Sequence, residues 1–448
     1  MLMKIATSQK TDDRACETQQ IRVHLAKEKT IEVKPGGNAN TLTVGAPGTG
    51  KTYSNLIPDI LDNDGASLII DDKKGQLHKM LAEPLQQKGY EVYKYDLINY
   101  AGNFSYNPFQ TVTCREDLMC MAEFLIPDRN EKDPFWEQSA RDLFVAVAEV
   151  GWKEFGSVMS FKRLMDLVDT INRDKGESGD PKTLKAVTEW VHQCERYSTE
   201  GYHCDDGVLE LICKHVGRGM NYVGIKKYLA VRSCADDTFR SIVITLESAL
   251  MAYSSRKLQR CMMSTPVDFR EFGKRKIALF IANPDSDSKY APVISYMYKD
   301  IYNVLVRCAD EEYQDAGGML PVHVRYILDD FCSGIRVPDF QTQLANCRSR
   351  NISFLIAIQD INQLQASYGT ADAGSILACM KYHTYYRTKN PSTVSLMSRI
   401  SGRPEEQICQ MREDQVYAWI TGNAQLCRRY PTNDLLDGYR RKDHAQSK

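Results

Sequence analysis

Eight consecutive residues, Gly45, Ala46, Pro47, Gly48, Thr49, Gly50, Lys51 and Thr52, constrain this chain more than any other feature. They fit the pattern G-x-x-x-x-G-K-[ST] and stand between a short apolar run, Thr41 to Val44, and a helical pattern. Glycines let the backbone wrap around an anion, so that its N–H groups point inward. Lys51 can reach β- and γ-phosphates, and the Thr52 hydroxyl can ligate Mg²⁺. The N-terminus of the following helix favours negative charge as well. A glycine-rich turn without a ligand is the alternative, but the strand before and the helix after favour phosphate binding. The expected cofactors are ATP and Mg²⁺.

A loop of this kind needs a carboxylate on a neighbouring strand to hold the metal. VRYILDDF supplies it: Tyr326, Ile327 and Leu328 bury a strand, and Asp329 and Asp330 emerge at its end. Asp329 is expected on the metal, and Asp330 where a base can orient the attacking water. Two acids that merely end a strand are the bland reading. The strand SFLIAIQ ends in Gln359, with Gln363 beyond; a side chain there can sense the γ-phosphate or simply begin a solvated helix. Arg348 and Arg350 precede that strand. A guanidinium there can stabilise transition-state charge at a neighbouring subunit's nucleotide, or be an ordinary surface group.

Further strand patterns are Ser67 to Ile70, closed by Asp71 and Asp72, EVYKYDL from Glu91, IALFIA from Ile277 and YHTYYRT from Tyr382. Strands alternating with helices indicate an α/β fold with a mostly parallel sheet and helices on both faces. The first forty residues are polar and weakly patterned, and Asn107-Pro108 marks a turn. From about Cys114 to Met263 the periodicity is helical, as in FWEQSARDLFVAVAEVGWKEF. The reading is one nucleotide-binding α/β domain, residues 1–113 and 264–448, interrupted by an all-α domain, residues 114–263. The tail after Asp434 is polar and expected to fray.

Lys and Arg number 57 and Asp and Glu 58, so any DNA contact must come from a local basic patch and not from the whole surface. The 14 cysteines follow no secretory signal and form no Cys-x-x-Cys pair, which suggests a reducing cytosol. His192, Cys194, His203, Cys204, Cys213 and His215 are dense enough to raise zinc. Their spacing fits no finger pattern, and small buried thiols are the better reading. Apolar runs are strand length, well short of the ~20 residues of a membrane helix.

Taken together, these pieces resemble the TraG/TraD-type coupling proteins of type IV secretion and conjugation. The resemblance covers about Asn38 to Gly422. It rests on NANTLTVGAPGTGKTYSNLIPDIL, SLIIDDKKGQL, FSYNPF, ILDDF and LANCRSRNISFLIAIQDINQLQASYG, in that order, with the helical insertion between the third and fourth. It implies a RecA-like nucleotide-binding domain and an all-α domain. It further implies hexameric rings that bind DNA, and a DNA-stimulated ATPase that couples a relaxase–DNA substrate to a secretion channel. Carried over by position, Gly45 to Thr52 bind phosphate, Asp329 the metal, and Arg348 and Gln359 fall on the arginine and first glutamine of the last motif. Three departures stand out. Lys73 and Gln76 replace Pro and Glu; Asp330 replaces Glu; and the membrane anchor typical of members has no counterpart. The chain is either a fragment or a natural anchor-less member; it is expected at the inner membrane face, monomeric when dilute, with assembly resting on nucleotide, DNA or a separately anchored partner. Competing readings are a soluble DNA pump of the FtsK/HerA kind and a nucleotide-gated receptor that scarcely hydrolyses ATP.

Overall fold

The computed structural model describes residues 21–127, 134–171, 207–220, 222–284, 288–420 and 422–431. Eleven strands are present among them: β1 (Ile21–Ala26), β2 (Lys29–Val33), β3 (Thr41–Val44), β4 (Ala66–Lys73), β5 (Glu91–Asp96), β6 (Ile277–Asn283), β7 (His323–Leu328), β8 (Ile352–Ile358), β9 (Tyr382–Tyr386), β10 (Gln415–Ile420) and β11 (Asn423–Arg428). Nine form one sheet in the order β11-β10-β9-β3-β8-β7-β4-β6-β5. The seven from β9 to β5 are parallel, and β10 and β11 extend the sheet as an antiparallel pair.

Both faces of the central strands are covered, as their unbroken apolar runs require. On β6, Ile277, Leu279 and Ile281 face one buried cluster, while Ala278 and Phe280 face the other. The second cluster is closed by the helices Ile57–Asp62 and Gln76–Gln87 and by β1. The first is closed by the long helix Ala291–Glu312 and runs on, without a break, into the helices between β5 and β6. Among these are Arg115–Leu125, Phe135–Phe155, Phe161–Ile171 and Asp236–Leu250. The helical segment thus shares its core with one face of the sheet.

Two hairpins are additions to the strand pattern read from sequence. The weakly patterned first forty residues contain β1–β2, in which Ile21, Val23 and Leu25 are buried over the first helix. The β10–β11 hairpin turns within two residues, with Gly422 at φ +84°. A buried polar staple holds the phosphate-loop helix to the sheet. Arg325 of β7 donates through Nη2 to Asp59 (2.8 Å) on that helix and through Nη1 to Ser353 of β8 (2.9 Å) and to the Ala39 carbonyl (3.0 Å). Neither member is solvent-exposed, so each charge depends on the other.

No helix among the described residues is long and apolar enough to cross a membrane. Of the cysteine–histidine cluster, His192, Cys194, His203 and Cys204 lie outside the described residues, as does the tail after Asp434. His215 is held on both ring nitrogens, by the Tyr222 hydroxyl (2.6 Å) and Glu154 (3.1 Å).

Candidate nucleotide site

The loop Gly45–Thr52 leaves the carboxyl end of β3, which lies between β9 and β8 in the sheet. Open α/β sheets bind ligands at that edge. The chain continues from the loop into a wide helical turn, Thr52–Leu56, and then the helix Ile57–Asp62. Gly48 and Gly50 adopt φ +77° and +91°, the left-handed region where a side chain is strained. Gly45 is required for a different reason: a Cβ there would stand 2.6 Å from Cβ of Tyr386 at the end of β9.

Lys51 is buried, and its ammonium donates to the carbonyls of Gly45 (2.6 Å) and Ala46 (3.3 Å). Burial pulls its pKa down, while Asp330 and then Asp329 hold it up. Thr52 Oγ1 donates to Asp329 Oδ2 at 2.6 Å. Hydroxyl and carboxylate therefore converge although 277 residues separate them. Hard oxygen donors in this arrangement suit Mg²⁺. Burial raises the Asp329 carboxyl, and the neighbouring Asp330 adds to the rise against the Thr52 hydrogen bond and Lys51. A cation bound there would offset both contributions.

Strand order explains which predicted residues meet. β8 lies between β3 and β7, with Val44 level with Ile358 and Leu328 level with Ile356. Gln359, one residue beyond β8, therefore stands level with Gly45, between the loop and the acids. Its neighbour Gln363 is engaged locally, accepting the Gln359 N–H (3.2 Å) while Asp360 caps the helix. Arg348 lies at the other end of β8, on the opposite edge of the sheet and exposed. Seven strand residues span about 23 Å, so Arg348 cannot reach the loop of its own chain. Arg350 is paired with Asp310 (3.1 Å).

Asp330 begins the turn after β7 at φ +46°, and its N–H donates to Asp329 Oδ1 (3.0 Å). Lys73 holds this turn from β4. The pairing Ile70–Ile327, continued by three residues, sets Lys73 level with Asp330. The Lys73 ammonium donates to the carbonyls of Asp330 (2.9 Å) and Ser333 (3.4 Å). Sequence reasoning noted Lys73 only as a departure from a pattern; its position beside two acids at a strand end was the available signal. The acids before it have separate tasks. Asp72 caps the helix Gln76–Gln87 by accepting from the N–H groups of Leu77 (2.8 Å) and His78 (2.9 Å). Asp71 is buried and lifted to about 7 by that burial, against Lys73 and the Asn283 hydrogen bond (2.6 Å). A second missed residue, Arg429, donates from Nη1 to the Thr49 carbonyl (2.9 Å). It comes from the far end of the chain, where no local pattern marks it.

Comparison with known proteins gives a consistent picture. The model of the family described as type IV secretory system conjugative DNA transfer matches residues 4–415. The conjugal transfer protein TraG of Escherichia coli is 23% identical over 392 residues, which are 83% of this chain and 56% of that protein. The chain thus spans little more than half the length of that relative. Among solved structures, the bacterial conjugative coupling protein TrwBΔN70 in its unbound monoclinic form superimposes with a TM-score of 0.61 at 14% identity. The match covers 92% of this chain and 88% of that one. The plasmid coupling protein TrwB in complex with the non-hydrolysable GTP analogue GDPNP gives 0.60 at 15%, over 94% and 91%. At such identities the likeness is one of fold, the RecA-like α/β sheet described above.

Proposed function

The chain belongs to the conjugative DNA-transfer family of type IV secretory systems, and from that premise we propose that it is a coupling ATPase. In this reading it binds ATP with Mg²⁺ and recruits a relaxase–DNA substrate to the secretion channel. Hydrolysis then drives DNA transfer. The observation that carries the reading is the contact of Thr52 with Asp329 beside the buried Lys51. A phosphate loop and a strand-end acid on separate strands, with Gln359 between them, supply the phosphate-binding and metal-side parts of a phosphoryl-transfer site.

Each residue has a task in this proposal. The N–H groups of Gly45 to Thr52 cradle the phosphates, and Lys51 neutralises their charge. Thr52 and Asp329 would hold Mg²⁺, which supplies further charge neutralisation at the phosphates. Asp330 orients and deprotonates water, and Gln359 positions it. Arg348, exposed on the opposite edge and out of reach of its own loop, is assigned to a nucleotide held by another copy. Copies are therefore proposed to assemble into a ring, a hexamer by family, on ATP and DNA. Residues 114–263 face cargo and channel.

Phosphate release by the full chain, with and without single- or double-stranded DNA, tests the proposal. Release that DNA stimulates several-fold is expected. Nucleotide binding without any release would leave a receptor and remove the enzyme. Lys73 provides a finer expectation. A charged donor on a carbonyl contributes about 1.5–3 kcal/mol, and here it sets the turn that carries Asp330. Lys73→Met should lower kcat about tenfold or more with KM for ATP within about twofold, read in steady-state kinetics. An unchanged kcat would show that the turn needs no such support.

A further inference from the structure

Two antiparallel steps, β9 to β10 and β10 to β11, return β11 to the direction of β3. Its carboxyl end therefore emerges at the same sheet edge as the phosphate loop, and Arg429 is the first residue beyond it. The Arg429 backbone N–H donates to the Asp414 carbonyl (2.9 Å), which fixes where its side chain begins. Its guanidinium then reaches the Thr49 carbonyl at 2.9 Å. The same Nη1 lies 3.0 Å from the point a Cβ on Gly50 would occupy, so the contact also depends on that glycine.

A loop that turns N–H groups toward an anion turns carbonyls away from it. Other carbonyls of the loop are served locally: Gly45 by Lys51, Ala46 by Thr49 and Lys51, Gly50 by the Ser54 N–H and Thr52 by the Ile57 N–H. The Thr49 carbonyl is held instead by a residue 380 positions away. We propose that Arg429 is a positioning residue for nucleotide binding. It is an outer brace that keeps Thr49 and Gly50 in their anion-receiving conformation, and it sets a fixed positive charge behind them. Nucleotide affinity is thereby tied to the seating of the β10–β11 hairpin. The inference rests on the reading that Gly45–Thr52 binds nucleotide.

The test is binding of Mg·ADP to the full chain by titration calorimetry, together with steady-state ATP hydrolysis. Arg429→Ala should weaken Mg·ADP about tenfold or more and raise KM for ATP by a similar factor, with kcat changed by less than about threefold. Arg429→Lys, which keeps charge and a donor, should recover most of the affinity. Arg428→Ala, which loses only the exposed pair with Glu28, should bind within about twofold of the parent. The melting temperature without nucleotide should not change in Arg429→Ala, whereas its rise on adding Mg·ADP should shrink. Where alanine fails to fold, Arg429→Met, of similar length and without a donor, carries the same expectations. Affinity within twofold of the parent, or a lysine variant as weak as alanine, overturns the proposal. Lys51→Ala separates the two failures. If it loses affinity while Arg429→Ala does not, the brace alone is wrong; if it binds normally, the nucleotide site is wrong and the brace with it.

Discussion

Lys51→Ala is expected to reduce ATP hydrolysis at least about 10³-fold while the chain remains folded. Loss of one preorganised donor to developing charge costs about 10²–10³ in kcat, and Lys51, itself buried, supplies a full charge there. The fold has little at stake, because the ammonium bonds only to carbonyls of its own loop, those of Gly45 and Ala46. Asp329 and Asp330 would also lose a cation that acts on both, leaving phosphate charge facing two acids. Phosphate release and a melting curve on the same sample check both halves of the expectation. Normal hydrolysis by a folded variant would remove the site assignment. The same variant probes Arg348. If that arginine serves a neighbour, Arg348→Ala should be inactive alone, and mixing it with Lys51→Ala should restore part of the activity. Some interfaces in such a mixture pair an intact Lys51 with an intact Arg348. A mixture as inactive as its components, or an active Arg348→Ala, would end the trans assignment.

What could be read in advance was whatever lies contiguous in the chain. GAPGTGKT carries its own conformational demands, and Tyr326 to Asp330 places acids at a strand end without reference to any other segment. The order β3-β8-β7, which brings Thr52 to Asp329 and Gln359 between them, is a property of pairing and not of any one stretch. Arg325 illustrates the limit. An arginine within an apolar strand reads as a surface group, yet its charge is matched by Asp59, 266 residues away. Arg429 was illegible for the same reason, and Lys73 carried only its place beside two acids: each acts through a carbonyl on a distant turn, and carbonyls leave no mark in side-chain identity. The outer strands of the two hairpins, β2 and β11, mix polar and apolar residues and mark no strand by themselves. Arg348 was legible as a cation before a strand, but only strand direction shows that it faces away from its own loop.

Asp330→Asn should leave nucleotide binding intact and cut turnover about 10²–10⁴-fold, the range for removal of a general base. The substitution is unusually clean at this position. Asp330 sits at φ +46°, a conformation asparagine accepts as readily as aspartate, so the turn after β7 has no reason to move. The contact from Lys73 goes to the backbone carbonyl and survives. The hydrogen bond from the Asp330 N–H to Asp329 survives too. What disappears is one negative charge beside Asp329 and Lys51, whose presence raises the Asp329 carboxyl. The Thr52 hydroxyl and Asp329 carboxylate that would hold the metal are untouched, so Mg·ADP affinity should stay within about twofold of the parent. Asp330→Glu extends the carboxylate by one methylene and should keep turnover, or increase it if the aspartate falls short of the water. Glutamate is less at ease at positive φ, so any loss it shows should appear in the melting temperature as well as in kcat. Single-turnover hydrolysis with saturating Mg·ATP separates chemistry from binding. If Asp330→Asn hydrolyses at the parental rate under those conditions, the carboxylate that activates water is another one, and buried Asp71, lifted to about 7 beside the same turn, becomes the next to substitute.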